Sequence, residues 1–512
     1  HTQLTLNDTH THTHTLRFKA MSATYKAGRQ SLSNEERATR AHHISLAANT
    51  AFAQAAQPTT SKPGRQASNN KVVTMPERLL DCSRIVAMID MDYFYAQVEE
   101  LNDPTLRNCP MAVTQKFIVV TCNYPARAAG VGKLMSIEDA LRSCPSLRLV
   151  NGEDLTDYRR ASDAVHRLLS AEVGECEHAC MDEFFVDLTD VVAVAIRERQ
   201  LICGNRTYAL TELQSFAGHV LGDVDLAQVY DRRLRAHRAS TDGQHADERD
   251  PLTLQRLRVA SHYLAYLRAL IRERCGLTSC GGLAVNKLLA KMVASVHKPQ
   301  QQTLLFPHHA TVFVGERPLR AIPGIGRKLR AQLESSLGIT STLALRQFTV
   351  EELCEAGFAA AIAERLFDVC RGCCTLAVRD RGAPKSISVE DSFRACTTLS
   401  QCHEYLQLLS VDLLRRLTED RAEHRREPNR LSVYLRHVGH GYRRASKSTA
   451  FPSDCGQTAV FRLACVLLRD LLSDRASYCL TLLGLRVSFA QNCTRDDATP
   501  SPNSSILRFM RP

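Results

Sequence analysis

The chain has 512 residues, 44% hydrophobic and 23% charged, an ordinary globular balance and enough length for about three or four domains. Lys and Arg outnumber Asp and Glu by 65 to 54, and the net charge of +11 favours an anionic partner. No apolar run reaches the ~18–20 residues that cross a bilayer, so no membrane partner is expected and a soluble protein is.

Residues 1–82 are polar, rich in Ala, Ser, Thr and Gln and without sustained periodicity, and are expected to be a disordered tail. The alternating His10, His12 and His14 read as part of that solvated tail. The chain opens on His1, which reads as a fragment or an extended gene product with Met21 or Met75 as the alternative starts, and order is predicted from near Arg84. The 19 cysteines are scattered through apolar runs with no secretory h-region near the N-terminus, so reduced thiols are expected.

A strand over 85–91 runs into Asp90-Met91-Asp92, and a helix follows over 94–101. Strands are predicted near 111–114 and 117–121, then a helix opened by Ser136 with Asp139 three residues on, a capping-box pattern. Between them Tyr124, Arg127 and Lys133 offer one hydroxyl and two cations close in sequence, as a triphosphate requires. Asn151-Gly152-Glu153-Asp154 is a turn into an amphipathic helix over 155–170. A second acidic run, Met181-Asp182-Glu183, leads into a strand near 184–188.

Two strand ends so placed put Asp90, Asp182 and Glu183 around one pair of divalent cations, the arrangement of two-metal phosphoryl transfer. Hard oxygen donors suit Mg²⁺ or Mn²⁺ rather than zinc. The Arg-, His- and Asp-rich stretch 231–250 reads as a surface insertion. A helix over 254–274, a strand over 280–285 and a helix over 286–296 follow, with Lys298 as a cation at that helix end. Alternating strands and helices with acids at strand ends predict an α+β, multidomain, palm-like catalytic architecture.

Ile322-Pro323-Gly324-Ile325-Gly326-Arg327-Lys328 has the form of a helix-hairpin-helix turn, in which Gly324 and Gly326 admit a DNA phosphate and Arg327 and Lys328 follow it. Cys370-Arg371-Gly372-Cys373-Cys374 reads as a helix end with Gly372 at its cap rather than a zinc site. Leu431–Arg436 alternates like a half-buried strand, with Arg443-Arg444-Ala445-Ser446-Lys447 as its partner. Such a sheet would turn Ser432, Tyr434 and Arg436 outward, and with Arg443, Arg444 and Lys447 would track a nucleic-acid backbone.

These blocks, together with Val119–Tyr124, Leu149–Thr156 and Asn286–Lys291, occur in the order found in the Y-family of lesion-bypass DNA polymerases, which the chain resembles from about Arg84 onward. The resemblance implies a right hand: a palm over 83–300 with fingers inserted at about 115–155, a helical thumb with the helix-hairpin-helix over 301–380, and a little finger over 385–491. It implies that Asp90, Asp182 and Glu183, with the Met91 carbonyl, bind two metals, and that Tyr95 is a steric gate against a ribose 2′-OH. Tyr124, Arg127, Lys133 and Lys298 would hold the incoming dNTP, and Gln115 and Ile118 the template base. Ile118 stands where one branch of the family has Leu, and Tyr93 replaces a smaller residue.

The expected activity is error-prone synthesis on primer-template DNA in the nucleus, for translesion synthesis and DNA repair. No exonuclease-like acidic set occurs elsewhere, so no proofreading is expected. The tail 492–512 follows a Pro/Ser/Asp-rich linker and puts Ile506, Phe509 and Met510 on one side of a helical turn, resembling a peptide for the PCNA sliding clamp. Other translesion polymerases are a further partner class. A palm-fold nucleotide cyclase would not need the hairpin or the basic sheet, and a non-catalytic DNA-binding scaffold would not need the three carboxylates.

Overall fold

A computed structural model describes residues 80–228, 253–380, 382–439, 441, 443–452, 456–473 and 477–490. The readings of 1–79 as a tail, of 231–250 as an insertion, and of Ile506, Phe509 and Met510 as a clamp peptide lie outside the described residues. Packing begins earlier than Arg84, because Leu80 and Cys82 are already buried.

The first part of the chain runs β1 (Val86–Met91), α1 (Phe94–Asn102), β2 (Met111–Gln115), β3 (Ile118–Cys122), α2 (Tyr124–Ala128), α3 (Ile137–Ser143), β4 (Arg148–Asn151) and α4 (Thr156–Val173). It continues through β5 (Cys176–Cys180), β6 (Glu183–Asp187), α5 (Thr189–Glu198), the hairpin β7 (Gln200–Cys203) and β8 (Arg206–Ala209), β9 (His219–Leu221) and α6 (Thr253–Cys275). β10 (Ser279–Ala284), α7 (Lys287–Ala294) and β11 (Gln302–Leu305) complete it.

Six strands form one sheet in the order β5-β6-β1-β10-β11-β9. β1 lies at its centre, antiparallel to both β6 and β10. Its apolar run is nearly continuous because both faces are covered, and the two-residue period of a strand sends alternate side chains to different cores. Ala87, Ile89 and Met91 join Tyr158, Val165 and Leu169 of α4 and Leu257, Leu264 and Ile271 of α6. Val86 and Met88 join Leu289 and Val293 of α7 on the other side. That alternation puts Asp90 on the α7 face, at the end of the strand.

β10 is buried throughout, and Gly282 lets α7 lie directly on it: an added Cβ there would stand 2.0 Å from the Ala290 carbonyl oxygen. Asn286 starts α7 by accepting a hydrogen bond from the Leu289 N–H at 3.0 Å, which fixes the helix over the sheet.

β2, β3 and β4 form a separate three-stranded sheet, with its own small core of Ala112, Val119, Cys122, Val131, Ala140 and Leu147. Ser136 caps α3 by accepting from Asp139 N, as its sequence predicts. Helices between Ala310 and Val369 pack with α7 in one continuous core, among them α8 (Arg327–Leu337). The last of them ends at Cys370, followed by Gly372 at φ +79°.

The C-terminal part is a four-stranded antiparallel sheet in the order β12 (Ser386–Cys396), β15 (Leu480–Phe489), β13 (Pro428–His437), β14 (Ala445–Ala450). Two helices, α9 (Leu399–His424) and α10 (Gln457–Leu472), cover one face of it through Leu406, Leu413, Val460 and Leu468 against Leu431, Val433 and Leu485.

Candidate active site

Asp90 and Glu183 are direct cross-strand partners of β1 and β6, so their side chains leave the same face of the sheet side by side. Asp182 immediately precedes β6, and its carbonyl accepts the Met91 N–H at 2.8 Å, tying the two acidic runs together. Each carboxylate already has a partner. Lys298 Nζ lies 2.6 Å from Asp90 Oδ1 and Lys291 Nζ 2.7 Å from Glu183 Oε2, while Cys180 Sγ donates to Asp182 Oδ1 at 2.8 Å.

Lys291 was not among the residues singled out by sequence. It sits four positions after Lys287 on the same face of α7, and Lys287 pairs with Glu177 of β5, so one helix neutralises two neighbouring strands. That spacing was readable in the sequence, but the partners were not.

Burial pushes the Asp90 carboxyl up to about 6, opposed by Lys298 and reinforced by Asp182 and Glu183. A carboxylate withdrawn from water and crowded by like charge is stabilised by nearby cations, and three neighbouring carboxylates are hard oxygen donors of the kind that suits a divalent ion. With the carboxylates turned to Lys298, Lys291 and Cys180, no group of three or more His, Cys, Asp or Glu stands in metal-ligating geometry among the described residues. The donor chemistry fits divalent ions; the side-chain geometry is that of the ion-paired state.

Asp92, also not singled out as a site residue, is the most buried acid of the cluster at 1% exposure. Its carboxylate accepts from Cys280 Sγ at 2.9 Å, Gln300 N–H at 3.1 Å, Thr278 Oγ1 at 3.2 Å and, at the long distance of 3.5 Å, the Tyr124 hydroxyl. It therefore joins the end of β1 to the segment carrying Lys298 and to α2. The signal was the Asp90-Met91-Asp92 spacing, two acids one residue apart at the end of a strand.

Tyr124 and Arg127 stand together at α2, with the guanidinium 5.0 Å from the ring centre and its Nε donating to the Cys122 carbonyl at 3.1 Å. Burial, followed by the charge of Asp92, raises the Tyr124 hydroxyl above its ordinary value, so it stays protonated and can donate. Lys133 is exposed in the loop beyond. Tyr95 is half-buried, its ring stacked on Tyr158 at 4.2 Å and its hydroxyl 3.4 Å from Met181 Sδ, beside the second acidic run. Gln115 and Ile118 are opposite partners that close the β2–β3 hairpin, and Gln115 Nε2 donates to the Gly152 carbonyl at 2.7 Å.

Away from this cluster, Gly324 takes φ +89° while Ile322 and Ile325 anchor the turn in the core. Gly326 is the N-cap of α8, and Arg327 and Lys328 project from its exposed first turn.

On the C-terminal sheet two expectations are corrected. Tyr434 is on the helix-free face but only 3% exposed, because the guanidinium groups of Arg444 and Arg486 lie over its ring at 5.3 Å each and its hydroxyl donates to Glu390 Oε2 at 2.9 Å. Lys447 is opposite Val433, on the helix side of the sheet, and pairs with Asp470 of α10 at 2.8 Å. Arg436 is half-buried against Thr481 (3.0 Å), Arg444 pairs with Glu390 (2.7 Å), and Arg443 is exposed. Arg430 and Arg486, not expected from the sequence, share the helix-free face with Ser432. A cavity of about 1000 Å³ between α4 and α9, lined by Arg159, Asp163, His166, Arg416 and Glu423, does not include Asp90, Asp182 or Glu183.

Residues 89–295, which contain all three carboxylates, match the model of the impB/mucB/samB family, and residues 384–498 match the model of that family's C-terminal domain. The chain belongs to this family, the Y-family of polymerases. It is 34% identical over 416 residues to human DNA polymerase iota, covering 79% of this chain and 52% of that protein. It is 38% identical over 354 residues to DNA polymerase iota of Drosophila melanogaster, covering 69% and 44%. With DNA polymerase eta of Arabidopsis thaliana the identity is 29% over 367 residues, covering 69% and 53%. The chain thus spans about half the length of these Y-family relatives. The mixed α+β, multidomain fold agrees with membership, and no helix among the described residues is long and apolar enough to cross a membrane.

Proposed function

We propose that this protein is a DNA-directed DNA polymerase of translesion synthesis and repair, adding dNTPs to a primer 3′-hydroxyl without proofreading. The observation that carries the reading is the register of Asp90 against Glu183, with Asp182 bonded to Met91, inside the segment that matches the family model. In this reading the six-stranded sheet is the palm, the β2-β3-β4 sheet the fingers, the helices over 310–369 the thumb and the β12–β15 sheet the little finger.

Asp90, Asp182, Glu183 and the Met91 carbonyl would hold two divalent ions, Mg²⁺ or Mn²⁺. When bound, these supply the charge that activates the 3′-hydroxyl and stabilises the departing pyrophosphate. Lys298, paired with Asp90 in this structure, is the cation that would meet the triphosphate. Tyr124, Arg127 and Lys133 contact the same anion, Arg127 with a planar donor fork suited to phosphate oxygens. Tyr95, held rigid by Tyr158, fills the space beside the sugar. Gln115 and Ile118 flank the template base. Gly324, Gly326, Arg327 and Lys328 grip one phosphate backbone, and Arg436, Arg443 and Arg444 another, with Tyr434 acting beneath Arg444 as its support. Partners beyond DNA and dNTP are the PCNA clamp, through Ile506, Phe509 and Met510, and other translesion polymerases, in the nucleus.

The test is the double substitution Asp182→Ala, Glu183→Ala. It is expected to abolish primer extension with either metal while DNA affinity in a filter or anisotropy assay stays within about twofold, because the basic surfaces are untouched. Extension near the wild-type rate would overturn the assignment.

A further inference from the structure

The tip of the β2–β3 hairpin is Lys116-Phe117, directly between Gln115 and Ile118. It does not end in open solvent. Lys116 Nζ lies 2.8 Å from Asp391 Oδ1 of β12, and Phe117, 54% exposed, carries the Arg394 guanidinium 4.6 Å from its ring centre. On its own sheet's side Lys116 is gripped by Glu153, whose carboxylate takes the Lys116 N–H at 3.0 Å and lies 3.4 Å from its Nζ. Lys116 has φ +55°, a conformation that costs a non-glycine residue and that these contacts hold in place. A second, wider contact joins Asp154 to Arg415 of α9 at 3.9 Å. Phe393, two residues after Asp391 on β12, stacks on Tyr405 of α9, ring centres 4.3 Å apart.

The ion pair that joins the two parts is partly exposed, with side-chain exposures of 38% for Lys116 and 23% for Asp391. Exposed ion pairs contribute little each and are screened by salt, so such a contact opens and closes easily. Yet its position gives it leverage. Gln115 and Ile118 are directly opposite strand partners that flank the tip, so the tip cannot move toward or away from β12 without turning both.

We propose that Lys116 and Phe117 with Asp391 and Arg394 form a breakable latch between the three-stranded sheet and the C-terminal domain, which positions Gln115 and Ile118 over the template base and so sets how nucleotide selection depends on that base. This rests on the polymerase reading above. Lys116 and Asp391 are positioning residues that act through Gln115 and Ile118, and the C-terminal domain thereby influences base selection at a distance from its own DNA-gripping face.

Two experiments on the full chain test this. The first is zero-length carbodiimide coupling of the free protein, which joins an ammonium to a carboxylate only in direct contact, followed by peptide mapping. A Lys116–Asp391 linkage is expected in wild type and absent from Asp391→Asn; its absence from wild type would overturn the latch whatever the activity. The second measures kcat and KM for dNTP incorporation opposite each of the four template bases by wild type, Asp391→Lys and the swapped pair Lys116→Asp/Asp391→Lys, with thermal melts verifying folding. In Asp391→Lys the ratio of kcat/KM on template purines to that on template pyrimidines should change by about three- to tenfold, the effect of one or two exposed ion pairs, mainly through KM. The swapped pair should restore it, which a merely structural role would not predict. An unchanged ratio in Asp391→Lys, or no restoration by the swap, overturns the proposal, whereas a wild type that incorporates nothing overturns the polymerase reading instead.

Discussion

Asp90 combines three roles: it ends a central strand, it faces α7, and it is held in an ion pair with Lys298 across 208 residues of sequence. Because burial sets its carboxyl near 6, protons compete with divalent ions for it as pH falls through that value. The rise in melting temperature on adding MgCl₂ or MnCl₂ should therefore be larger at about pH 8 than at about pH 5, and should shrink at both in Asp90→Asn. Without metal the sign is opposite. A folded-state value raised above the unfolded one, about 3.9, gives stability that is full below that value and lost as pH rises through about 6. Metal-free Asp90→Asn should then gain on wild type in melting temperature between about pH 5 and pH 8. Tyr95 supplies a second test at this scale. Its ring is fixed by Tyr158, so Tyr95→Ala opens space rather than letting a neighbour swing in, and ribonucleotide use relative to deoxynucleotide should rise by about ten- to a hundredfold in single-turnover incorporation. Unchanged sugar selectivity in a folded variant would make Tyr95 a packing residue only.

At the scale of elements, the cross-strand register decides what the carboxylates can do, and α7 decides where the cations stand. That helix depends on Gly282. Alanine at this position would drive a methyl into helix backbone rather than into a flexible side chain, so α7 must lift. Gly282→Ala is expected to destabilise the fold by about 2–3 kcal/mol, the upper range for overpacking, and to reduce primer extension because Lys291 and Lys298 move with the helix and the segment after it. Denaturant unfolding together with activity checks this; a stable, fully active variant would mean that the helix–sheet spacing is not critical. Several elements were legible in the sequence. The strand at 86–91, the helix after it, the Ser136 cap and the long amphipathic helices follow from period and capping chemistry within a few residues. Short strands such as Cys176–Cys180 and His219–Leu221 were not, because they carry too few residues to show a period. The apolar residues of β12, at Ile387 and Val389, and of α10, at Val460, Ala464, Leu467 and Leu468, do follow the strand and helix periods.

At the scale of the molecule, three larger hydrophobic cores and one small one divide the described chain, and contacts between parts fall on charged residues such as Lys116 and Asp391. The acidic strand ends, the basic hairpin turn and the family are legible in the sequence alone, since each depends on residue types at short, fixed spacing. Only the tertiary structure decided which cation meets which carboxylate, that Asp92 is the buried hub behind them, that Tyr434 lies under two arginines and that Lys447 faces α10. The reason is physical. A motif is set by chain geometry over a few residues, whereas an ion pair across some two hundred residues, or the face on which a strand residue emerges, is fixed by register and by what packs against it.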